Sequence, residues 1–233
     1  PGKIKYRRLA VQVTKAYIVN YKIGLQIVDI SSSTKPVLHK QTTPLVGNYK
    51  NIHIDGPNAF LMAGQQGVDI YNISNPSNIK KVGVIKGTKG DNLTLGFTHK
   101  SSFYSTIQIR GLSVFDIFNF DKTSQVGLLS SGSNSFYQDI FIKGDYAYIT
   151  DSKQGLRIID ISDPKNPKEE NDAMVKMTDT PYGVYVKGEY AYVTTKTGLK
   201  IVDVAKYALN CSGANDVTKL LANARNITEI NQP

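Results

Sequence analysis

The amino-acid sequence predicts an all-β fold, a β-propeller of five four-stranded blades, and three observations predict it. A glycine recurs at Gly24, Gly67, Gly111, Gly155 and Gly198, with spacings of 43, 44, 44 and 43 residues. Each is followed five residues later by Asp or Asn, in stretches such as G-L-Q-I-V-D-I (24–30) and G-L-R-I-I-D-I (155–161). Between these stretches the apolar runs are short, rich in β-branched and aromatic residues, and lack a 3.6-residue period. A fixed period in the forties marks a repeat architecture. Four short strands fit one such period, and the missing helical periodicity excludes helix-based repeats.

The fourth repeat shows the plan most clearly. Asp139–Ile142 is an inner strand, Lys143-Gly-Asp145 a turn, and Tyr146–Thr150 a second strand alternating aromatic and β-branched residues. After the turn at Ser152–Gly155, Leu156–Ile161 reads as a third strand, apolar on both faces as a sheet between two sheets requires. Ser162–Pro167 is a Pro-punctuated turn, and a weaker outer strand is expected near 168–176. The second strands of the other repeats begin at Ala16-Tyr17, Ala59-Phe60, Ser102-Phe103 and Ala191-Tyr192, and outer strands are expected at 37–42, 80–86 and 124–130. One domain over 1–233 follows, with blades at roughly 7–43, 49–87, 93–131, 137–177 and 182–204.

The fifth blade lacks an outer strand directly after Val204. Val217, Leu220, Leu221 and Ala224 recur at helical spacing, so 215–225 is expected to be a short helix capped by Asn215 or Asp216. Asn226–Ile230 and Lys3–Tyr6 are alternative closing strands for the ring. Either would remove an exposed edge.

The pattern Y-A-Y-[IV] followed by G-L-x-I-[IV]-D-I-S-[DN]-P resembles the LVIVD repeat. The match is nearly complete in the fourth unit and good in the first, second and fifth, whereas Ile117–Asp121 replaces the I-S-D-P turn in the third. The resemblance implies a propeller and a bacterial or archaeal cell-surface setting, extracellular or periplasmic. It implies no reaction, because propellers host many functions.

Composition bounds the function. With 40% apolar and 20% charged residues, the balance is that of an ordinary globular protein. No apolar stretch approaches the roughly 18 residues of a membrane span. The sequence begins at Pro1 without an apolar leader, and the lone Cys211 excludes an internal disulfide. The net charge of +9 is concentrated in residues 1–50, which hold nine Lys/Arg against Asp29 alone. Residues 3–15, with Lys3, Lys5, Arg7, Arg8 and Lys15, are therefore a candidate contact for an anionic polymer or lipid headgroup. Solvated strand-edge lysines are the competing reading. Nothing resembles a nucleic-acid-binding motif.

The recurrent Asp29, Asn72, Asp116, Asp160 and Asp203 each precede a turn and are read as caps of backbone N–H groups rather than metal ligands. The variable loops on one propeller face are the expected place for ligand contacts, which makes Lys22, Gln65, Gln66, Lys153 and Gln154 candidates. Tyr49, Tyr137 and Tyr182 open three inner strands, where they would either stack on a ligand or pack between blades. Phe118 and Phe120 occupy a turn that is polar elsewhere, so they are candidates for a partner contact or for burial. The three histidines have no zinc-site spacing, and no nucleophile elbow or phosphate loop is present. No catalytic residue, metal or cofactor is assigned. The resulting expectation is a non-catalytic module binding a protein or an envelope polymer. The alternative is a sugar-binding propeller, or a carbohydrate-active one using Asp91, Asp139 and Asp179.

Overall fold

A computed structural model describes residues 6–20, 24–41, 49–107, 110–132, 134–169, 173–208 and 228–230. It contains five antiparallel sheets, each of four strands in sequence order, the blades of a β-propeller. The first holds β1 (Tyr6–Gln12), β2 (Lys15–Asn20), β3 (Gly24–Asp29) and β4 (Val37–Gln41). The second holds β5 (Asn51–Asp55), β6 (Asn58–Met62), β7 (Val68–Asn72) and β8 (Lys80–Ile85). β9 (Leu93–His99), β10 (Ser102–Ile107), β11 (Gly111–Asp116) and β12 (Ser124–Ser130) form the third. β13 (Tyr137–Lys143), β14 (Tyr146–Asp151), β15 (Gly155–Asp160) and β16 (Lys168–Glu169) form the fourth. The fifth is β17 (Pro181–Lys187), β18 (Tyr190–Thr195), β19 (Leu199–Asp203) and β20 (Thr228–Ile230). The C-terminal segment thus supplies the fourth strand of the last blade, with Ile201 paired to Thr228. One helical turn, α1 (Ala205–Ala208), follows β19. The expected helix over 215–225 lies outside the described residues.

Two sequence features build each blade. The repeated Asp or Asn caps the turn after the third strand. The side chains of Asp29, Asn72, Asp116, Asp160 and Asp203 accept from the N–H groups of Ser31, Ser74, Phe118, Ser162 and Ala205 at 2.8–3.1 Å. In the second, third and fourth blades the repeated glycine answers a close approach of backbone. A Cβ on Gly67, Gly111 or Gly155 would lie 2.1, 1.9 or 2.2 Å from the carbonyl oxygen of Ile85, Leu129 or Val175. Gly155 also has φ +118°, where an L side chain is strained.

The contacts divide the chain into two compact units, Pro1–Ile107 with Val114–Val126, and Gln108–Ser113 with Gly127–Pro233. In the first unit, Tyr17, Val19, Leu25 and Ile27 of the first blade pack on Ile52, Ala59, Leu61 and Tyr71 of the second. Phe60, Met62, Val68 and Ile70 of the second blade share a cluster with Phe103 and Phe115 of the third. In the second unit, Tyr148, Leu156 and Ile158 of the fourth blade pack on Val184, Val186, Ala191 and Val193 of the fifth. In these three contacts the earlier blade presents its forward face and the later blade its rear face. The inner strands add a row of rings at one register position: His53 and Phe97 lie 4.3 Å apart, and Phe141 and Tyr185 5.0 Å apart. Alanine, Ala10, stands there in the first blade.

The third blade departs in register. The sequence pattern aligns Ser102-Phe103 with Ala16-Tyr17, but strand pairing shifts this by one residue. Thr98 pairs with Phe103, as Val11, Ile54, Ile142 and Val186 pair with Ala16, Ala59, Ala147 and Ala191. Phe103 thus fills an alanine position. Room comes from Gly96, which stands where the other blades carry Leu9, Ile52, Ile140 and Val184; a Cβ there would lie 2.2 Å from the Phe103 ring.

Gly155→Val should lower the melting temperature severely, because the new side chain meets both strain and the Val175 carbonyl. Gly198→Val should cost less: φ there is 158°, at the edge of extended backbone, and no atom lies within 4 Å of an added Cβ. Equal melting temperatures for the two variants would contradict this account.

His53 titrates out of range of its usual pH. Burial holds its pKa down to about 4, against 6.5 for the free side chain, with the nearby Asp55 charge acting in the opposite direction. Its Nε2 lies 2.8 Å from Thr98 Oγ1. The folded pKa is the lower one, so stability is fully present above pH 6.5 and declines as pH falls towards 4. His53→Phe, which supplies the ring found at Phe97 and Phe141, should make the melting temperature less pH-dependent across that window. Identical pH profiles for the two proteins would remove His53 from the account.

Candidate functional site

The loops that lead into the third strand and into the next inner strand form a shallow pocket in the second blade. It measures about 360 Å³ and is lined by Lys50, Ala63, Gln65, Gln66 and Asn92. Two backbone bonds between Gly64 and Leu93, at 3.0 and 3.1 Å, tie the loops together. Lys50 Nζ donates to Asn92 Oδ1 at 3.2 Å across the floor. Gly64 makes that floor possible, since a Cβ there would lie 2.5 Å from Asn92 Oδ1. The lining is one cation, three carboxamides and a methyl group, a set suited to hydrogen-bonding a polar, uncharged or anionic ligand.

In the same blade, Asp69 accepts from the Tyr49 hydroxyl and pairs with Lys81 Nζ at 2.6 Å. Tyr49 is fully buried, and burial followed by the Asp69 hydrogen bond holds its phenol protonated. Asp69 occupies the variable position of the G-L-x-I motif. The same position is Gln26 in the first blade, Ser113 in the third, Arg157 in the fourth and Lys200 in the fifth.

In the fourth blade this position assembles a buried charged cluster. Arg157 is 4% exposed. Its Nε donates to Glu169 Oε1 at 2.7 Å and its Nη2 to Glu169 Oε2. Nη1 donates to Ser135 Oγ at 2.9 Å and to the Ser131 carbonyl at 3.3 Å, and lies 3.6 Å from the buried Asp151 carboxylate. The guanidinium sits 5.2 Å from the centre of the Tyr137 ring. Burial acts against its charge, but the Glu169 hydrogen bonds and the surrounding charges outweigh it and raise the pKa. Asp151 Oδ1 in turn accepts from the N–H groups of Phe136 and Lys153 at 3.0 and 2.9 Å, so the cluster holds two loops at once. The third strand expected to be apolar on both faces therefore contains a buried cation.

The structure sorts the sequence candidates. Gln65 and Gln66 line the pocket. Gln154 Nε2 donates to the Asn134 carbonyl at 2.8 Å and to Ser135 Oγ at 3.2 Å, holding a loop, while Lys153 is exposed. Tyr49 and Tyr137 are buried and Tyr182 is 49% exposed, so only Tyr182 presents its ring to solvent. Phe118 is 85% exposed. Phe120, in a 3₁₀ turn at Phe120–Lys122, packs edge-on to Phe60 at 6.1 Å. Lys3, Lys5 and Lys22 lie outside the described residues. Arg7 lies in β1 and Arg8 is exposed. Lys50, Asn92, Asp69, Lys81, Asp151, Arg157 and Glu169 were not singled out by sequence. The available signal was the charge at the third motif position, inside a strand otherwise apolar.

Each carboxylate of the hydrolase alternative accepts backbone N–H groups of the scaffold. Asp91 Oδ2 accepts from Thr88 N–H at 2.9 Å, and Asp139 Oδ2 from Val184 N–H at 3.2 Å. Asp179 accepts from the Thr197 hydroxyl and from the N–H groups of Thr197 and Thr180 at 2.7 and 2.9 Å. The Thr197 and Thr195 side-chain hydrogen bonds hold its pKa down to about 2. Among the described residues no group of three or more His, Cys, Asp or Glu is placed to hold a metal. No helix among them is long and apolar enough to cross a membrane.

Five blades with loop-built sites define a β-propeller. The LVIVD repeat model matches residues 7–43, 137–174 and 182–209, so LVIVD repeats form the first, fourth and fifth blades of this five-bladed propeller. No curated protein sequence matches it. The designed protein Ika8 aligns with 86% of this chain at 12% identity and a TM-score of 0.67. A functionally unknown protein from Desulfotomaculum acetoxidans DSM 771 aligns with 85% at 14% identity and a TM-score of 0.69. The N-terminal domain of Nup159 aligns with 85% at 10% identity and a TM-score of 0.51. The chain spans 58%, 65% and 60% of those three, under two thirds of each. At such identities the likeness is one of fold.

Arg157→Leu should destabilise the protein by about 3–5 kcal/mol, because it leaves the buried Asp151 charge unpaired. Adding Asp151→Asn should recover part of that loss. A single variant as stable as the parent would show that the cluster holds nothing together.

Proposed function

We propose that this propeller is a non-catalytic interaction module at the cell envelope. The observation that carries the reading is Phe118, a large apolar side chain 85% exposed on a turn where other repeats place Ser or Ala. Hydrogen bonds hold its turn on both sides: Asp116 caps Phe118 N–H at 2.9 Å and Asn119 caps Asp121 N–H at 2.9 Å. A fixed, solvated aromatic loses little freedom when a protein partner covers it. The basic first fifty residues support an anionic setting such as an envelope polymer or lipid headgroups.

The amide-lined pocket favours a second reading, sugar binding, since carboxamides can both donate to and accept from hydroxyls. In this version Gln65, Gln66, Asn92 and Lys50 grip the ligand.

Phe118→Ser should leave the melting temperature within about 0.5 kcal/mol of parent stability. It should also release the protein from the envelope fraction of the cells that produce it. Retention of the variant, or a parent protein found wholly outside the envelope fraction, would overturn the module reading. Binding of neutral oligosaccharide that is lost in Gln65→Ala/Asn92→Ala would establish the second.

A further inference from the structure

Four residues before the repeated glycine, at or beside the end of the second strand, the blades carry Asn20, Ala63, Ile107, Asp151 and Thr194. The fourth blade shows what a carboxylate does at this position. Asp151 Oδ1 accepts from the N–H of Lys153, two residues on, at 2.9 Å, and Asp151 Oδ2 faces the Arg157 guanidinium at 3.6 Å. One side chain thus satisfies a backbone donor and a cation together.

The second blade has the donors without the carboxylate. Ala63 lines its pocket at the position of Asp151, and the strand pairing agrees: Asp151 pairs with Gly155, and the Ala63 N–H donates to the Gly67 carbonyl at 2.8 Å. Gln65 is the counterpart of Lys153. Among the described residues neither its N–H nor its carboxamide has a hydrogen-bond partner. Lys50 Nζ has one there, the neutral Asn92 Oδ1 at 3.2 Å. With Oδ1 turned to the lysine, Asn92 carries its two Nδ2 donors on the other side of the group. Asp69 and Asp91, neighbours of Tyr49 and Asn92, are committed elsewhere, to Tyr49 with Lys81 and to the Thr88 N–H. Gly64 keeps the place open. The other blades have Tyr21, Gln108, Ser152 and Thr195 at that position, and a Cβ on Gly64 would lie 2.5 Å from Asn92 Oδ1 and 3.0 Å from Lys50 Nζ.

We propose that this pocket binds the carboxylate of an acidic sugar, a uronic acid, in the place that the Asp151 side chain holds in the fourth blade. A carboxylate only accepts hydrogen bonds, while the Lys50 ammonium, the Gln65 N–H and the Asn92 amide hydrogens only donate them. Hydrogen bonds with an ionised partner are the stronger kind, and a sugar hydroxyl brings no charge to the ammonium. The Gln65 carboxamide both donates and accepts, which suits it to the ring hydroxyls. The volume of about 360 Å³ falls in the range of about 300–1,000 Å³ usual for small-ligand sites. This inference rests on the sugar-binding reading of the pocket and adds the charge of the ligand.

The experiment is calorimetric titration of the purified protein with trigalacturonate, with its methyl ester, and with the peptide Glu-Glu-Glu. Trigalacturonate should bind at least about tenfold more tightly than the ester, the effect of one hydrogen bond to a charged group. Added salt should weaken the acid and leave the ester unchanged. Ala63→Asp should abolish binding of the acid, because the chain then supplies the carboxylate itself. Lys50→Gln should reduce the acid to the affinity of the ester, and it carries the test where circular dichroism shows that the aspartate has cost the fold. Acid and ester bound equally would overturn this inference and leave the sugar reading standing, whereas binding of neither would overturn both. Tighter binding of the peptide than of trigalacturonate would overturn the assignment to a sugar.

Discussion

A four-stranded sheet with Ile, Val, Leu and Tyr on both faces cannot remove its apolar surface from water by itself; each face needs another sheet against it. At about 25 cal/mol per Å² of apolar area, this burial is the largest favourable contribution available to a chain without disulfides or described metal sites. It sets the two-faced composition of the third strands, and it requires a fixed register so that the same positions meet from blade to blade. The caps and glycines serve that register. Asp29, Asn72, Asp116, Asp160 and Asp203 stop each third strand at the same residue. In the second, third and fourth blades the glycine at the other end lets the outer segment's carbonyl come close. Function is then left to positions where the repeat is free to vary.

The third motif position is the clearest of these. It lies near the loop end of a buried strand, each blade carries a polar residue there, and the charged ones find different partners. Asp69 finds a tyrosine hydroxyl and a lysine, Arg157 finds two carboxylates and an aromatic face, and Lys200 reaches the Thr178 hydroxyl at 3.5 Å. A buried charge without a partner costs several kcal/mol, so each choice constrains the loops around it. The blades thus share a scaffold while their loop ends differ in charge and shape.

Blade number and strand order were legible in the sequence because both rest on local patterns, a recurring glycine and a recurring cap. Gln65 and Gln66 were singled out by their variable loop, and the structure places both at the pocket. Three things were not legible. Arg157 was passed over because a strand's apolar character is judged by its neighbours, while its carboxylate partners come from residues 6 and 12 positions away. Tyr49 and Tyr137 looked alike to Tyr182, and only the packing around them separates buried from exposed. In the third blade a one-residue shift was hidden because Phe103 and Tyr104 are both aromatic.

The exchange of sizes between Gly96 and Phe103 bears on how such a gene can change. Tandem repeats of nearly equal length invite recombination between neighbours, which swaps or deletes one unit at a time. A second strand imported from any other blade would set alanine against Gly96 and leave a void, and voids in a packed core cost stability. An inner strand imported instead would drive leucine, isoleucine or valine into the Phe103 ring. A crossover falling between β9 and β10 therefore yields a defective hybrid in either direction. The first two strands of the third blade, β9 and β10, must therefore be exchanged together.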